Sequence, residues 1–305
     1  MSTLPRALTW RDLPLLYRYR EQALCLDSRR AVIGGAGLVS GALVALFSAA
    51  TGMAVVADEA AEGAPLVGLA EYNPQEGIAR LLYLAPKTAL SPETALTPLV
   101  EALLAHPALR GARALLADAP QQAPWLPALR RASFRVFARQ RLWQMPTEHA
   151  EARAGRWRWP RADERWAADR LYTNLTPPLV RHLLPPPAAA PTAVVYLEDG
   201  EVRGVARWEA GPQGIWVVPW LDPDIAAPCE ALRALVAFLR TGEKPLYIAV
   251  REAQVWLEGP LERLDARPSE PLALLARWAV QPQPVAEAVP AAAQREAPQP
   301  TLFAK

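Results

Sequence analysis

The feature that most constrains this chain is that it repeats itself. Gly68-Leu-Ala-Glu-Tyr72 returns as Gly204-Val-Ala-Arg-Trp208, and the turn pair Gly77-Ile78 returns as Gly214-Ile215. The apolar run after each pair ends at a proline, Pro86 or Pro223, the same distance from its glycine. A proline then opens each helical pattern, Pro92 and Pro228, followed by Leu99-Val100 and Leu235-Val236. ARALLADAP from Ala112 corresponds to PLYIAVREA from Pro245, Trp125-Leu126 to Trp256-Leu257, and RQRLWQMP to LLARWAVQP. So many matches in one order read as two copies of one unit, and whatever fold is assigned must be assigned twice.

Within the first copy, Gly68–Tyr72 and Ile78–Leu84 are short apolar runs rich in strand formers. Asn73-Pro74-Gln75-Glu76-Gly77 between them supplies turn geometry, so the pair reads as a hairpin. After Pro86 the period lengthens. Leu96, Leu99, Val100, Leu103 and Leu104 line one face of a helix, which Pro98 either kinks or starts after Thr97. Ala112–Ala117 reads as a buried strand, Trp125–Phe134 as a helix and Arg135–Met145 as an alternating strand. Upstream, Thr9–Leu26 reads as an amphipathic helix started by Thr9. Ala31–Ala57 carries no charge, and its length and flanking charges satisfy a membrane-span test. Its glycines at 34, 35, 37 and 41 and the Thr51-Gly52 pair favour a division instead: a loop, a buried helix near Leu38–Phe47 and a strand Met53–Ala57. In the second copy Trp157–Leu184 is helical in pattern. These breaks place a first domain at 1–146, a linker at 147–156, a second domain at 157–280 and a disordered Pro/Ala/Gln-rich tail at 281–305.

Bulk properties narrow the function. The 305 residues are 51% hydrophobic, enough to fill two cores. A net charge of +2 with acids and bases interspersed implies no nucleic-acid partner. Cys25 and Cys229 lie in different halves and read as reduced residues of a cytoplasmic protein. The three histidines have no metal-site spacing with either cysteine, so no metal is expected. No Ser-His-Asp or Cys-His arrangement and no P-loop pattern occurs.

The order of each copy (helices, hairpin, strand, loop, helix, strand, helix, strand) resembles the GNAT-type N-acetyltransferase superfamily in a tandem arrangement. LLYLAP before a helix looks like that family's central strand. LLADAPQQAPWLPALRRASFRVFARQRLW looks like its closing strand, helix and strand, with Ala132-Ser133-Phe134 where the family has a glycine and an aromatic residue. The resemblance implies a mixed-sheet α/β fold, two acyl-CoA N-acyltransferase-like domains packed on each other. Two central strands would splay apart, with acetyl-CoA as co-substrate in the gap. A small-molecule or protein amine would attack its thioester. By the same analogy, backbone groups of Leu84 and Pro86 would contact the pantetheine arm and Lys87 would face the phosphates. Tyr83 would protonate the departing thiolate and Glu71 would relay a proton from the amine. Plainer roles are open to both: Tyr83 as a packing residue, Glu71 as a solvent-facing strand residue. Trp208, Trp216 and Trp220 read as a ligand platform or as core between the halves.

One departure is specific. The family holds the pyrophosphate on a glycine-containing loop, whereas Lys87–Thr94 and Asp224–Glu230 contain no glycine. Pro92 and Pro228 each remove an N–H, and Ser91-Pro92 reads as a helix cap. Glu93, Asp222, Asp224 and Glu230 oppose an anion, leaving Lys87 as the one favourable charge. Two functions follow: an N-acetyltransferase working through the first domain, or a pseudo-enzyme that keeps the fold as a binding or interaction module.

Overall fold

The computed structural model describes residues 5–34, 37–47, 52–58, 64–147, 156–240 and 242–279. The 281–305 tail and most of the expected linker lie outside them. In the first half the apolar runs form strands β1 (Met53–Asp58), β2 (Leu66–Asn73), β3 (Ile78–Ala85), β4 (Ala114–Pro120) and β5 (Arg135–Gln144). In the second they form β6 (Ala193–Glu198), β7 (Glu201–Ala210), β8 (Ile215–Leu221), β9 (Leu246–Arg251) and β10 (Leu272–Trp278). Corresponding residues hold corresponding registers. Gly68 pairs with Leu84 as Gly204 pairs with Leu221, and Ile78 with Ala114 as Ile215 with Leu246. The repeated glycine has a packing cause in both places. A Cβ at Gly68 would lie 2.9 Å from Leu103 Cδ1, and one at Gly204 would lie 2.5 Å from Leu221 Cδ2.

The halves are not laid side by side but are joined through their closing strands. Between short edge strands at Arg6–Ala7 and Trp157–Arg158, sheet order runs β1-β2-β3-β4-β10-β5-β9-β8-β7-β6, a palindrome about the β10/β5 pair. β10, from the end of the second half, is hydrogen-bonded along β4 from Leu272 opposite Pro120 to Trp278 opposite Ala114. β5, from the first half, pairs with β9 from Tyr247 opposite Gln144 to Arg251 opposite Gln140. Each half therefore covers the open edge of the other's central strand, which would otherwise present unpaired N–H and C=O groups. The cores follow the same exchange. Leu275 and Ala273 of β10 are buried in the first half's core, and Trp143 and Met145, at the end of β5 and just beyond it, in the second half's core.

Helices α1 (Leu13–Tyr19), α2 (Ser28–Ile33), α3 (Leu38–Phe47), α4 (Thr97–Ala105) and α5 (Leu126–Arg131) serve the first half. Those of the second are α6 (Ala162–Leu175), α7 (Pro178–Leu183), α8 (Pro228–Leu239) and α9 (Glu258–Glu262). The uncharged segment divides into α3 and β1, and no helix among the described residues is long and apolar enough to cross a membrane. Three expectations need correction. The helical pattern of the second half does not start at Trp157: Trp157–Arg158 is a short strand paired with β6, and α6 begins at Ala162. The first helix does not reach Leu26. Thr9 caps a 3-10 turn, Trp10–Asp12, its N–H bonded to Asp12 Oδ2 at 2.8 Å, and this turn leads into α1, but α1 ends at Tyr19 and Leu24–Cys25 is a short strand on β3. The backbone groups of β3 offered this apolar stretch better partners than another helical turn. Nor does the helix after β3 begin at Pro92. Ser91–Thr94 is a self-bonded turn, with the Ser91 N–H on Thr94 Oγ1 at 2.8 Å, and α4 starts at Thr97 with Pro98 in its first turn. Proline there loses no helical hydrogen bond.

The strand exchange has a measurable consequence. Leu275 is fully buried, so Leu275→Ala should destabilise the protein by about 2–5 kcal/mol in chemical denaturation. Hydrogen exchange should then accelerate at Leu115–Ala119 in the other half of the sequence; acceleration confined to residues 157–279 would contradict the pairing.

Candidate functional site

β3 and β4 are paired in parallel only where Ile78–Arg80 meets Ala114–Leu116. Beyond that a third piece of backbone stands between them. The Leu26 N–H donates to Leu82 O at 2.8 Å, and Leu26 O accepts from the Asp118 N–H at 2.7 Å. Leu24 lies opposite Leu84 and Cys25 opposite Tyr83, while the Lys87 N–H donates to Gln22 O at 2.7 Å. The second half has a similar divergence after Ile215–Val217 meets Leu246–Ile248. There Pro219 has no N–H, and the Leu221 N–H is taken by the buried Gln254 Oε1 at 2.9 Å.

The loops that follow the two divergent strands are also closed on themselves. In the first, N–H groups of Ala89, Leu90, Ser91, Glu93 and Thr94 donate to groups of the same loop. In the second, the Asp224 N–H donates to Asp222 Oδ1 at 3.1 Å and the Ala226 N–H to Glu198 Oε2 at 3.4 Å. Carboxylates thus hold amides that a phosphate would need.

The candidate site residues are placed as follows. Tyr83 on β3 and Glu71 on β2 are engaged separately. Tyr83 is hydrogen-bonded to Cys25, and burial first, then the neighbouring Cys25, pushes its phenol up to about 12. Glu71 Oε2 accepts from Arg30 Nη2 at 2.7 Å. The backbone of Leu84 pairs with Leu24, Pro86 is buried behind a cis Ala85–Pro86 peptide, and the Lys87 side chain is exposed. Trp216 and Trp220 are buried, with Trp220 edge-on to Tyr172 at 5.3 Å, in a cluster that takes Leu142 from the first half. Cys25 and Cys229 are free and half-buried.

No family model matches the sequence, and no curated protein does. Solved structures do. A protein from Pyrococcus horikoshii provisionally described as an acetyltransferase aligns at a TM-score of 0.50 and 12% identity, over 90% of this chain and 89% of its own. The fold is that of the GNAT-type acetyltransferases. A GCN5-related N-acetyltransferase from Sphaerobacter thermophilus aligns at 0.49 and 15% identity, over 90% of this chain and 95% of its own. An acetyltransferase of the GNAT family from Colwellia psychrerythraea aligns at 0.47 and 10%, over 91% and 100%.

On this GNAT-type frame the polar chemistry gathers in a cavity of about 50 Å³ where the two halves meet. Asp27 caps α2 through the Arg30 N–H at 3.0 Å and lies 3.5 Å from Arg29 Nη2. Arg29 Nη1 reaches Glu209 at 2.8 Å. Arg207 joins Glu209 at 3.1 Å to Glu76 at 2.9 Å, and Arg80 lies 3.6 Å from Glu76. Asp118 Oδ2 accepts from the Ser28 N–H at 2.9 Å and from its hydroxyl, to which Gln140 Nε2 donates at 2.7 Å. Burial works to raise the Asp27 carboxyl, but the Arg29 and Arg80 guanidiniums outweigh it and hold the group below its ordinary value. Burial pushes Asp118 up, and the negative charge of Asp27 adds to it. One carboxyl kept charged beside one that favours its proton is an arrangement able to hold a proton inside the protein. The sequence reading missed these residues. The available signal was a charge interrupting an apolar strand, Asp118 in ALLADAP and Arg251 in LYIAVREA.

Because the Asp118 carboxyl is raised on folding, its stabilising contribution is complete below the ordinary value of 3.8 and is lost as pH rises through the folded value. Asp118→Asn, which cannot lose that proton, should match the wild type in acid and be at least as stable at neutral pH. Urea denaturation across pH checks this; a variant that loses stability relative to wild type as pH rises would refute it.

Proposed function

We propose that this protein is a non-catalytic relative of the acetyltransferases that keeps the fold as a binding module. The observation that carries the reading is the segment Gln22–Ser28 in the gap between β3 and β4. An acyl-CoA thioester arm needs that gap and its free backbone groups, and Leu26 bonds to both sides of it. The residues present do not fit the coenzyme in this arrangement. The phosphate end fits no better, since the amides of Ala89, Leu90, Ser91, Glu93 and Thr94 are spent within the first loop and, in the second half, those of Asp224 and Ala226 on carboxylates. Displacing the segment would break the Leu26 bonds and expose Leu24 and Leu26, a loss that coenzyme contacts would have to exceed.

The second reading is an acetyl-CoA-dependent N-acetyltransferase working on an unidentified amine through the first half. The resemblance in fold favours it, and Lys87 places a cation in the loop. Fold alone does not carry an activity. Isothermal titration of the full chain with acetyl-CoA distinguishes the two. The binding-module reading expects no heat at millimolar coenzyme and no acetyl transfer to a panel of amines. Micromolar binding that Lys87→Glu abolishes would overturn the non-catalytic reading, and acetyl transfer to an amine would establish the transferase.

A further inference from the structure

The geometry points to the cavity between the halves as a binding site for a small carboxylate, with Arg251 as its principal partner. The first observation is a mismatch in hydrogen bonding. Arg251 Nε and Nη1, Arg207 Nε and Trp216 Nε1 are buried without a hydrogen-bond partner among the described residues, and all three residues line the cavity. Every unsatisfied buried atom of the lining is thus a donor, and none is an acceptor. A donor left dry is costly, and a guanidinium more so. An anion, which only accepts, is the class of ligand whose chemistry complements such a set of donors.

The second observation is a mismatch in charge. Arg29, Arg80 and Arg207 are each within ion-pair reach of Asp27, Glu76 or Glu209. Arg251 forms no ion pair among the described residues. Asp118, the other carboxyl of the lining, is occupied by Ser28. Arg251 instead lies over Trp220, its guanidinium carbon 5.1 Å from the ring centroid. The aromatic face stabilises the cation in part and fixes the plane in which it can offer its N–H groups.

Shape and surroundings choose the class of anion. Leu184, Phe137, Trp216, Trp220 and Leu274 form an apolar wall, and about 50 Å³ admits only a few heavy atoms. A phosphate would need donors on all sides and would face the charges of Asp27 and Glu209. A short alkyl carboxylate places one charged end on Arg251 and its chain on the apolar wall. This inference stands on the cavity and not on the gap between β3 and β4, so it survives or fails whatever acetyl-CoA does.

The test is isothermal titration of the full-length chain with sodium acetate, sodium butyrate and inorganic phosphate at constant ionic strength and neutral pH. Butyrate should bind one to one with Kd of ~1 mM or tighter, acetate more weakly, and phosphate not at all. Arg251→Met should weaken butyrate at least tenfold, and Arg251→Lys by less. Leu184→Trp, which fills the cavity without removing a charge, should abolish binding and gives a second route if Arg251→Met does not fold. Absence of butyrate binding, phosphate binding tighter than butyrate, or unchanged affinity in a folded Arg251→Met or Leu184→Trp variant would each overturn the assignment.

Discussion

The structure depends on how two parallel strand pairs end. In each half the hairpin and its following strand leave one central strand, β4 or β9, with an open edge that cannot stay bare inside a protein. The chain solves both at once by setting β10 beside β4 and β5 beside β9, and then pairing β5 with β10. A single continuous sheet results. The cavity and the shared cores lie where the halves meet.

Much of this was legible in the sequence, and the limits have physical reasons. The repeat revealed itself because glycines at 68, 77, 204 and 214 mark a close approach or a turn that other residues fit poorly, and such positions keep their spacing. The hairpins, α3, α5 and both central strands could be read because period and turn residues agree there. The destination of β5 and β10 was not legible: alternation shows that a strand exists but not which strand it will pair with. Leu24–Leu26 reads as helix because an amphipathic period continues through it, whereas in the fold Leu24–Cys25 pairs with β3. Of the candidate residues, Tyr83 and Glu71 were found by analogy with a fold whose gap is here occupied. The charged residues that do converge are far apart in sequence, Asp27 with Arg80, Asp118, Arg207 and Arg251, and no local pattern joins them.

The two polar regions contrast. At the divergent strands of the first half, Leu26 and Leu24–Cys25 take backbone groups on the two sides of the gap. At the cavity, acids and bases are paired with each other until one cation is left over beside an indole. The two halves differ in this respect: the gap of the first is filled with backbone, while the contact between the halves holds a polar interior drawn from both.

The exchange of closing strands also sets an order of events in time. β10 ends at Trp278, so β4 lacks its neighbour until almost all of the described chain has been made. During synthesis the first half emerges with a long apolar strand exposed along one edge, a state open to pairing with the wrong partner. Its folding must wait for contacts between residues far apart in sequence, the slow kind. The feature that makes the finished sheet continuous therefore makes the unfinished one dependent on the last strand to arrive.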